Sequence, residues 1–377
     1  MVQSNRRDVA ATTPAAGAEP ALVPPGAPFP RRVGVVMLSA LGDVVHALPV
    51  VTAIKRHAPA TRLTWILQPG PAALVRGHPA VDEVLVFERR RGWRGFAALR
   101  RQLRGMPFDL VLDLQPYFKA GLITWMARAP IKLGLDFARS RDLNWLFTTH
   151  RIPPRPVAHI EDQFLEFLDA IGVPRGEPEW GLAPTEEERA AARARVAEAD
   201  GPLVGFVVAT SKPAKNWLPE RYAGVATRLA EERGARCVLI GDTTPIERAA
   251  ADAIVAATRA RPIDALGAGL RVTLGLFDAC DVVVSPDTGP FHICVAMNVP
   301  AVGLYGYTNP KRVGPYRRFG DLVVDAYGDP GEAYTAADGY RAGRMERITV
   351  GQVYDRVAAA LSRYAPGPPW RRFRGPA

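Results

Sequence analysis

The chain has 377 residues, 48% hydrophobic and 23% charged, with a formal net charge of +10. That length and balance exclude a fibrous or low-complexity protein and accommodate two globular domains. The basic excess favours an anionic partner: a nucleic acid, a phosphorylated lipid or a phosphorylated small molecule. The three cysteines, Cys237, Cys280 and Cys294, stand far apart and form neither a CxxC nor a zinc pattern. They are expected to be buried free thiols in a reducing compartment.

Residues 1–30 mix alanine, proline and threonine around Arg6 and Arg7 and lack the leucine-rich centre of a signal peptide. They are expected to form a disordered tail. From residue 32 short apolar strands alternate with helical stretches. RVGVVML (32–38) reads as a strand, and DVVHALPVVTAIKRH (43–57) as a helix with a kink at Pro49. RLTWIL, EVLVF and DLVLDL are further strands, with helices over 93–104 and 118–127. A proline-rich break, RIPPRPV (151–157), precedes a helix over 159–172 and a loop over 173–185. Thr185, followed by Glu186, Glu187 and Glu188, marks a helix start.

The rhythm then resumes. LVGFVVA (203–209), RCVLIG (236–241), DVVVS (281–285) and AVGLYG (301–306) read as strands, with helices over 219–233 and 245–258. This alternation predicts parallel sheets covered by helices on both faces. The expected organisation is two doubly wound α/β domains, over 31–180 and 181–348, facing across a cleft. A helix over 349–365 and a basic tail over 366–377 follow. No apolar run reaches the ~18 residues of a spanning helix. The expected location is therefore cytosolic, or peripheral on the cytosolic face of a membrane.

Five stretches carry chemistry. In SALGDVVH (39–46), Asp43 falls at the carboxyl edge of the first sheet. It is either a general base or the cap of the following helix, and position alone favours the cap, with a pKa lowered by the helix dipole. In ATSKPAKNWLPERY (209–222), Thr210, Ser211, Lys212 and Lys215 share one loop suited to a phosphate, or else to water. No P-loop pattern is present. In GDTTPIERAAAD (241–252), Glu247 sits in a first helical turn, where it either binds ribose hydroxyls or complements the dipole. In SPDTGPFHICVAMNVPAVGLYG (285–306), Thr288 caps, Gly289 admits a ligand and Pro290 suits the first turn, forming an anion site for a diphosphate. Asp287 would repel phosphates there unless it binds a hydroxyl, so the ligand is expected to carry both diphosphate and sugar. His292 is either a phosphate donor or structural. Finally, ERRRGWRGFAALRRQLR (88–104) puts Phe96, Leu99 and Leu103 on one helix face and arginines elsewhere, either as a solvated face or as contact with an anionic surface.

Together these stretches resemble the family 9 glycosyltransferases, the lipopolysaccharide heptosyltransferases, from about residue 32 to about residue 365. The motifs SALGDVVHALP, ATSKPAKNW, GDTTPIERA and SPDTGPFHICVAMNVPAVGLYG stand in the family's order and spacing. The resemblance implies a GT-B fold whose amino-terminal domain takes the acceptor and whose carboxyl-terminal domain takes ADP-L-glycero-D-manno-heptose. It implies an inverting transfer to the Kdo/lipid A inner core, on the cytosolic face of the inner membrane. No metal or cofactor is implied, the ADP-sugar being a substrate, and no nucleic acid is an expected partner.

The same resemblance implies that Asp43 is the base, overturning the positional preference. Lys215 is placed beside the donor diphosphate and Glu247 at the nucleoside. Asp287, Thr288, Gly289 and His292 match the D-T-G-x-x-H motif, and Thr210 and Ser211 the paired hydroxyls. Arg89, Arg90, Arg91, Arg94, Arg139 and Arg141 are read as the set facing an anionic acceptor or surface. One departure is Lys-Asn-Trp-Leu-Pro, which moves the family's proline one place, to Pro219. The SALGD form leans toward enzymes that add the first heptose. Two other readings stand beside this one: a GT-B enzyme using a UDP- or GDP-sugar, and a basic nucleotide- or nucleic-acid-binding protein without transfer activity.

Overall fold

Short β-branched runs, apolar on both sides, are the signature of strands buried between helix layers. Such runs form the centre of two six-stranded sheets, in which all twelve strands of the described residues pair in parallel. The computed structural model describes residues 21–197 and 201–364. The first sheet holds β1 (Arg32–Val36), β2 (Arg62–Leu67), β3 (Glu83–Val86), β4 (Leu110–Asp113), β5 (Ile131–Gly134) and β6 (His150–Arg151), in the order β3-β2-β1-β4-β5-β6. The second holds β7 (Leu203–Val207), β8 (Arg236–Ile240), β9 (Ile263–Asp264), β10 (Val282–Pro286), β11 (Ala301–Tyr305) and β12 (Val324–Asp325), in the order β12-β11-β10-β7-β8-β9. Counted from its own first strand, the second sheet repeats the order of the first. Both are doubly wound, with the direction of winding reversing between β1 and β4 and between β7 and β10. Ligands of such sheets bind outside the carboxyl ends of the strands at that reversal.

The helices are α1 (Leu41–His57), α2 (Pro69–Val75), α3 (Trp93–Arg104), α4 (Phe118–Met126), α5 (Ile160–Ala170), α6 (Glu186–Arg195), α7 (Pro219–Arg233), α8 (Pro245–Ala257), α9 (Leu270–Ala279), α10 (Gly289–Ala296), α11 (Pro310–Val313) and α12 (Val350–Arg363). Leu99 and Leu103 of α3, with Ala120 and Ile123 of α4, pack on one face of the first sheet. α1 lies on the other face, against α5. α6 packs on α9, and α12 on α7 and the second sheet. Thr185 does start a helix: its Oγ1 accepts from the Glu188 N–H at 3.2 Å while Glu188 Oε2 accepts from the Thr185 N–H at 2.8 Å.

Several expectations are corrected. α1 begins at Leu41, two residues before the expected start, and as expected it contains Pro49, its buried residues from Val44 to Ile54 packing on both sides of the lost hydrogen bond. Residues 21–30 are ordered against the first domain. The Leu22 N–H donates to the Ala170 carbonyl at 2.8 Å, and the Phe29 ring meets His57 edge-on at 5.4 Å. Residues 1–20 of the expected first tail, residue 365 at the end of the expected last helix and the whole basic tail over 366–377 lie outside the described residues. The three cysteines are buried and free, and burial pushes the Cys237 thiol up to about 12.

The two domains meet where α1 abuts α10. A Cβ on Gly42 would stand 3.0 Å from the His292 ring, and one on Gly289 would stand 2.8 Å from Leu41. Gly289 had been expected to admit a ligand; the group it admits is Leu41 of the other domain. Further out, Arg271 holds Glu188 with bonds of 2.7 and 2.8 Å and reaches the Leu74 carbonyl at 3.3 Å. His159 bonds the Gly314 carbonyl at 3.0 Å. Gly289→Ala should therefore lower the unfolding free energy by about 1–3 kcal/mol, the cost of overpacking a filled contact. Gly70→Ala, whose Cβ meets nothing within 4 Å, should be neutral or slightly stabilising. Urea denaturation of both variants checks this.

Candidate active site

Asp43 is the third residue of α1 and follows β1 directly. Its Oδ2 accepts from the Ala40 N–H at 2.9 Å. Asp43 is therefore not the N-cap expected from position, which is Ala40, but the N3 residue, which caps by reaching back to the N-cap N–H with one oxygen. The helix start was expected to lower the carboxyl's pKa. Instead burial at the domain seam raises it, against the Ala40 N–H and the nearby His46. A cap that is also desolvated is a better proton acceptor than a solvated cap.

The loop around Asp43 is held by groups that the sequence reading passed over. Gln115, just past β4, accepts from the Leu38 N–H at 3.0 Å and donates to the Ser39 carbonyl. The buried Asn144 amide donates to Asp113 Oδ2 at 2.9 Å and to the Gln115 and Tyr117 carbonyls, both at 3.1 Å. Asp113 also accepts from Thr124 Oγ1 at 2.9 Å, and its burial pushes its carboxyl up to about 7. The sequence pattern places Asp113 at the end of the strand DLVLDL and gives Gln115 no role. Their place at the carboxyl end of the central strand was the available signal.

Across the seam, the loop after β7 is shaped by Thr210. Its N–H donates to Asn216 Oδ1 at 2.7 Å, and its buried hydroxyl donates to the Lys212 carbonyl at 3.0 Å. Thr210 thus builds the loop, and of the two hydroxyls it is Ser211 that is exposed. Lys215 Nζ donates to Asp287 Oδ2 at 2.6 Å and to the Asp287 carbonyl at 3.1 Å. Asp287 Oδ1 pairs with His292 Nε2 at 3.0 Å. Burial would raise the Asp287 carboxyl, but the His292 bond and the Lys215 charge outweigh it and hold it far below the usual range. Its charge is therefore compensated by Lys215, which offsets the repulsion that a bare carboxylate would exert on phosphates.

His292 is the structural alternative and not a free phosphate donor. It is buried, bonded to Asp287 and packed on His46 at 4.2 Å between ring centroids. Burial and the His46 charge lower its pKa to about 4. Thr288 occupies the N-cap position of α10, but its side chain makes no capping bond. Glu247 closes its own loop, accepting from the Asp242 N–H at 3.0 Å and the Thr244 hydroxyl at 2.5 Å.

The arginine set divides. Arg89, Arg90, Arg91 and Arg94 are exposed beside α3 and make no ion pair among the described residues. Arg141 is exposed next to the Asp43 loop, its N–H bonded to the Pro116 carbonyl at 2.8 Å. Arg139 is a correction. Its side chain is buried between Asp136 and Glu166, the latter at 2.7 Å, because two carboxylates, one just past β5 and one on α5, need a cation there. Arg312 on α11 was missed by the sequence reading. It is half-buried, its side chain makes no hydrogen bond or ion pair among the described residues, and it lies within the fields of Arg141, Asp43 and Tyr117.

Two doubly wound domains that meet at their strand ends, a carboxylate on one side and an anchored lysine on the other, define a GT-B type glycosyltransferase. The model of the family described as "Glycosyltransferase family 9 (heptosyltransferase)" matches residues 96–327. The chain belongs to glycosyltransferase family 9. It is 33% identical over 299 residues to the lipopolysaccharide core heptosyltransferase OpsX of Haemophilus influenzae, covering 79% of this chain and 85% of that one. It is 29% identical over 308 residues to lipopolysaccharide heptosyltransferase 1 of Pseudomonas aeruginosa, covering 76% and 82%. A family 9 glycosyl transferase from Veillonella parvula superposes with a TM-score of 0.77 at 25% identity, over 88% of this chain and 97% of that one. The E. coli heptosyltransferase WaaC, solved with ADP, superposes with a TM-score of 0.69 at 24% identity, over 87% and 99%.

The lowered His292 pKa has a defined pH consequence. As pH falls, the unfolded chain protonates this histidine near its ordinary ~6.5, before the folded chain does, so its contribution to stability is lost between about 6.5 and about 4. His292→Gln, which can still donate to Asp287, removes that component. Thermal melts from about pH 7 to about pH 5 should show the parent chain losing melting temperature relative to the variant. Parallel curves would show that His292 is not held neutral.

Proposed function

We propose that the protein transfers a heptose from ADP-L-glycero-D-manno-heptose to the Kdo/lipid A inner core of lipopolysaccharide, with inversion and without a metal, at the cytosolic face of the inner membrane. The observation that carries this reading is the approach of Asp43 to the Lys215–Asp287 pair across the domain seam, where each lies in the field of the others. The named relatives add support: two are lipopolysaccharide heptosyltransferases, and WaaC has been solved with ADP and with ADP-2-deoxy-2-fluoro heptose.

In this reading an acceptor hydroxyl attacks the anomeric carbon while the second Asp43 oxygen takes its proton. The bond to the ADP oxygen breaks on the opposite face, and ADP leaves carrying the electron pair. Lys215 spends two of its three N–H bonds on Asp287 and keeps the third for the leaving diphosphate. Asp287 and His292 fix the direction of that ammonium. The first-turn N–H groups of α10 and the exposed Ser211 hydroxyl add donors on the same side. Glu247 borders the nucleoside side. Arg312 and Arg141, one from each domain, receive an anionic group of the acceptor beside Asp43.

Calorimetric titration with ADP, UDP and GDP, each without added metal, tests the donor. ADP should bind best; preference for UDP or GDP would discard the heptose donor and keep the fold. Asp43→Ala should lower turnover by roughly 10²–10⁴-fold with ADP affinity retained. A loss of only a few-fold would leave Asp43 as a cap alone. Arg312→Ala should reduce kcat/KM for the acceptor by about tenfold or more at unchanged ADP affinity. A weakened ADP titration would place Arg312 in the donor site instead.

A further inference from the structure

Apolar side chains scattered singly over a surface need no explanation, but a contiguous group does. Twelve large apolar side chains are exposed among the described residues, and six of them lie between residues 117 and 146: Tyr117, Phe118, Trp125, Phe137, Leu143 and Leu146, each 44 to 62% exposed. They belong to α4 and to the segment between β5 and β6. Ring contacts tie this patch to the domain. Phe118 meets Phe147 edge-on at 5.2 Å, and Phe137 meets Trp145 at 5.4 Å. The backbone is pinned as well, through the bonds of Asn144 to the Tyr117 carbonyl and of Arg141 to the Pro116 carbonyl. Asp142 and Leu143 are held at φ of +50° and +61°, a region that side-chain-bearing residues avoid. The chain thus holds an unfavourable conformation that leaves Leu143 facing solvent.

The charges of the patch are mostly of one sign. Lys119 and Arg141 are exposed on it, and Arg151 covers the Phe137 ring at 4.3 Å. Of the two acids in this stretch, Asp136 is buried against Arg139, leaving Asp142. α3 packs beside α4 on the same sheet face. It adds Trp93, 74% exposed, and the unpaired Arg89, Arg90, Arg91 and Arg94. Exposed aromatic and aliphatic groups among cations that have no acidic partner complement an anionic bilayer: apolar tips enter the headgroup region and the cations meet phosphates.

We propose that this rim, α4 with residues 137–147, flanked by α3, is the surface by which the protein rests on an anionic membrane. Its choice of a membrane as occupant rests on the reading that the acceptor is lipid-linked. Tyr117 stands at the edge of the rim and also within the field that Arg312 shares with Asp43. The rim therefore adjoins the acceptor mouth, and a lipid-anchored acceptor reaches Asp43 without leaving the bilayer.

The test uses the full chain and the combined variant Trp125→Ser, Phe137→Ser, Leu143→Asn, where asparagine accepts the left-handed conformation. Sedimentation with phosphatidylglycerol/phosphatidylethanolamine vesicles should show binding by the parent chain and at least about tenfold weaker binding by the variant. Transfer to a soluble, deacylated Kdo acceptor should be unchanged, while transfer to acceptor embedded in vesicles should fall in step with binding. Equal vesicle binding by both proteins would overturn the proposal. So would equal binding to phosphatidylcholine vesicles, or a parent dimer that the variant loses in analytical ultracentrifugation. Absence of transfer to the soluble acceptor by the parent chain would instead refute the heptosyltransferase reading, a separate result from the vesicle binding.

Discussion

The site depends on one close approach: the start of α1 against the start of α10. Two glycines make it possible, Gly42 lying against His292 and Gly289 against Leu41. Each helix start carries a group the other domain lacks, a carboxylate on α1 and the Asp287–His292 pair beside α10. Without the approach, Asp43 would be a solvated cap and Lys215 an ordinary loop lysine bonded to an aspartate. With it, each lies in the electrostatic field of the other. The same desolvation raises the Asp43 carboxyl and depresses the His292 imidazole, while Asp287 is held ionised by its two partners. Three titratable groups in one seam are thereby driven in different directions, which is the arrangement that separates a proton acceptor from a fixed charge.

Much of the fold was legible because parallel strands buried on both faces announce themselves as unbroken apolar runs. RLTWIL and PERYAGVATRLAEER appear in the structure with the boundaries their patterns predict. The strands that escaped notice, β5, β6, β9 and β12, have four residues or fewer and lie toward the sheet edges, where packing decides and periodicity has no room to show. α2, α9 and α11 were missed for a related reason. α2 and α11 are short, and α9, LRVTLGLFDA, is apolar on most sides and buried, so its face does not stand out.

The site was legible as positions and less so as roles. Asp43, Lys215 and Asp287 stand at strand ends, where topology alone points. What could not be read is which atoms are already committed. Thr210 spends its hydroxyl on its own loop, His292 its Nε2 on Asp287, and Arg139 its charge on two carboxylates. These commitments arise between residues far apart in the chain. Arg312 was silent for the opposite reason: its distinction is a side chain with no hydrogen-bond or ion-pair partner among the described residues, which no sequence pattern displays.

Asn144 carries a consequence concerning length. Its amide binds Asp113, the Gln115 carbonyl and the Tyr117 carbonyl, and Gln115 in turn grips both sides of the loop before Asp43. The apolar rim and the loop before the base are joined as one stiff bracket. Such a bracket keeps the carboxylate at a constant height above whatever the rim stands on. On the reading proposed above, acceptors would then be sorted by how far their hydroxyl projects from its anchor, a ruler that needs no contact with the sugars in between.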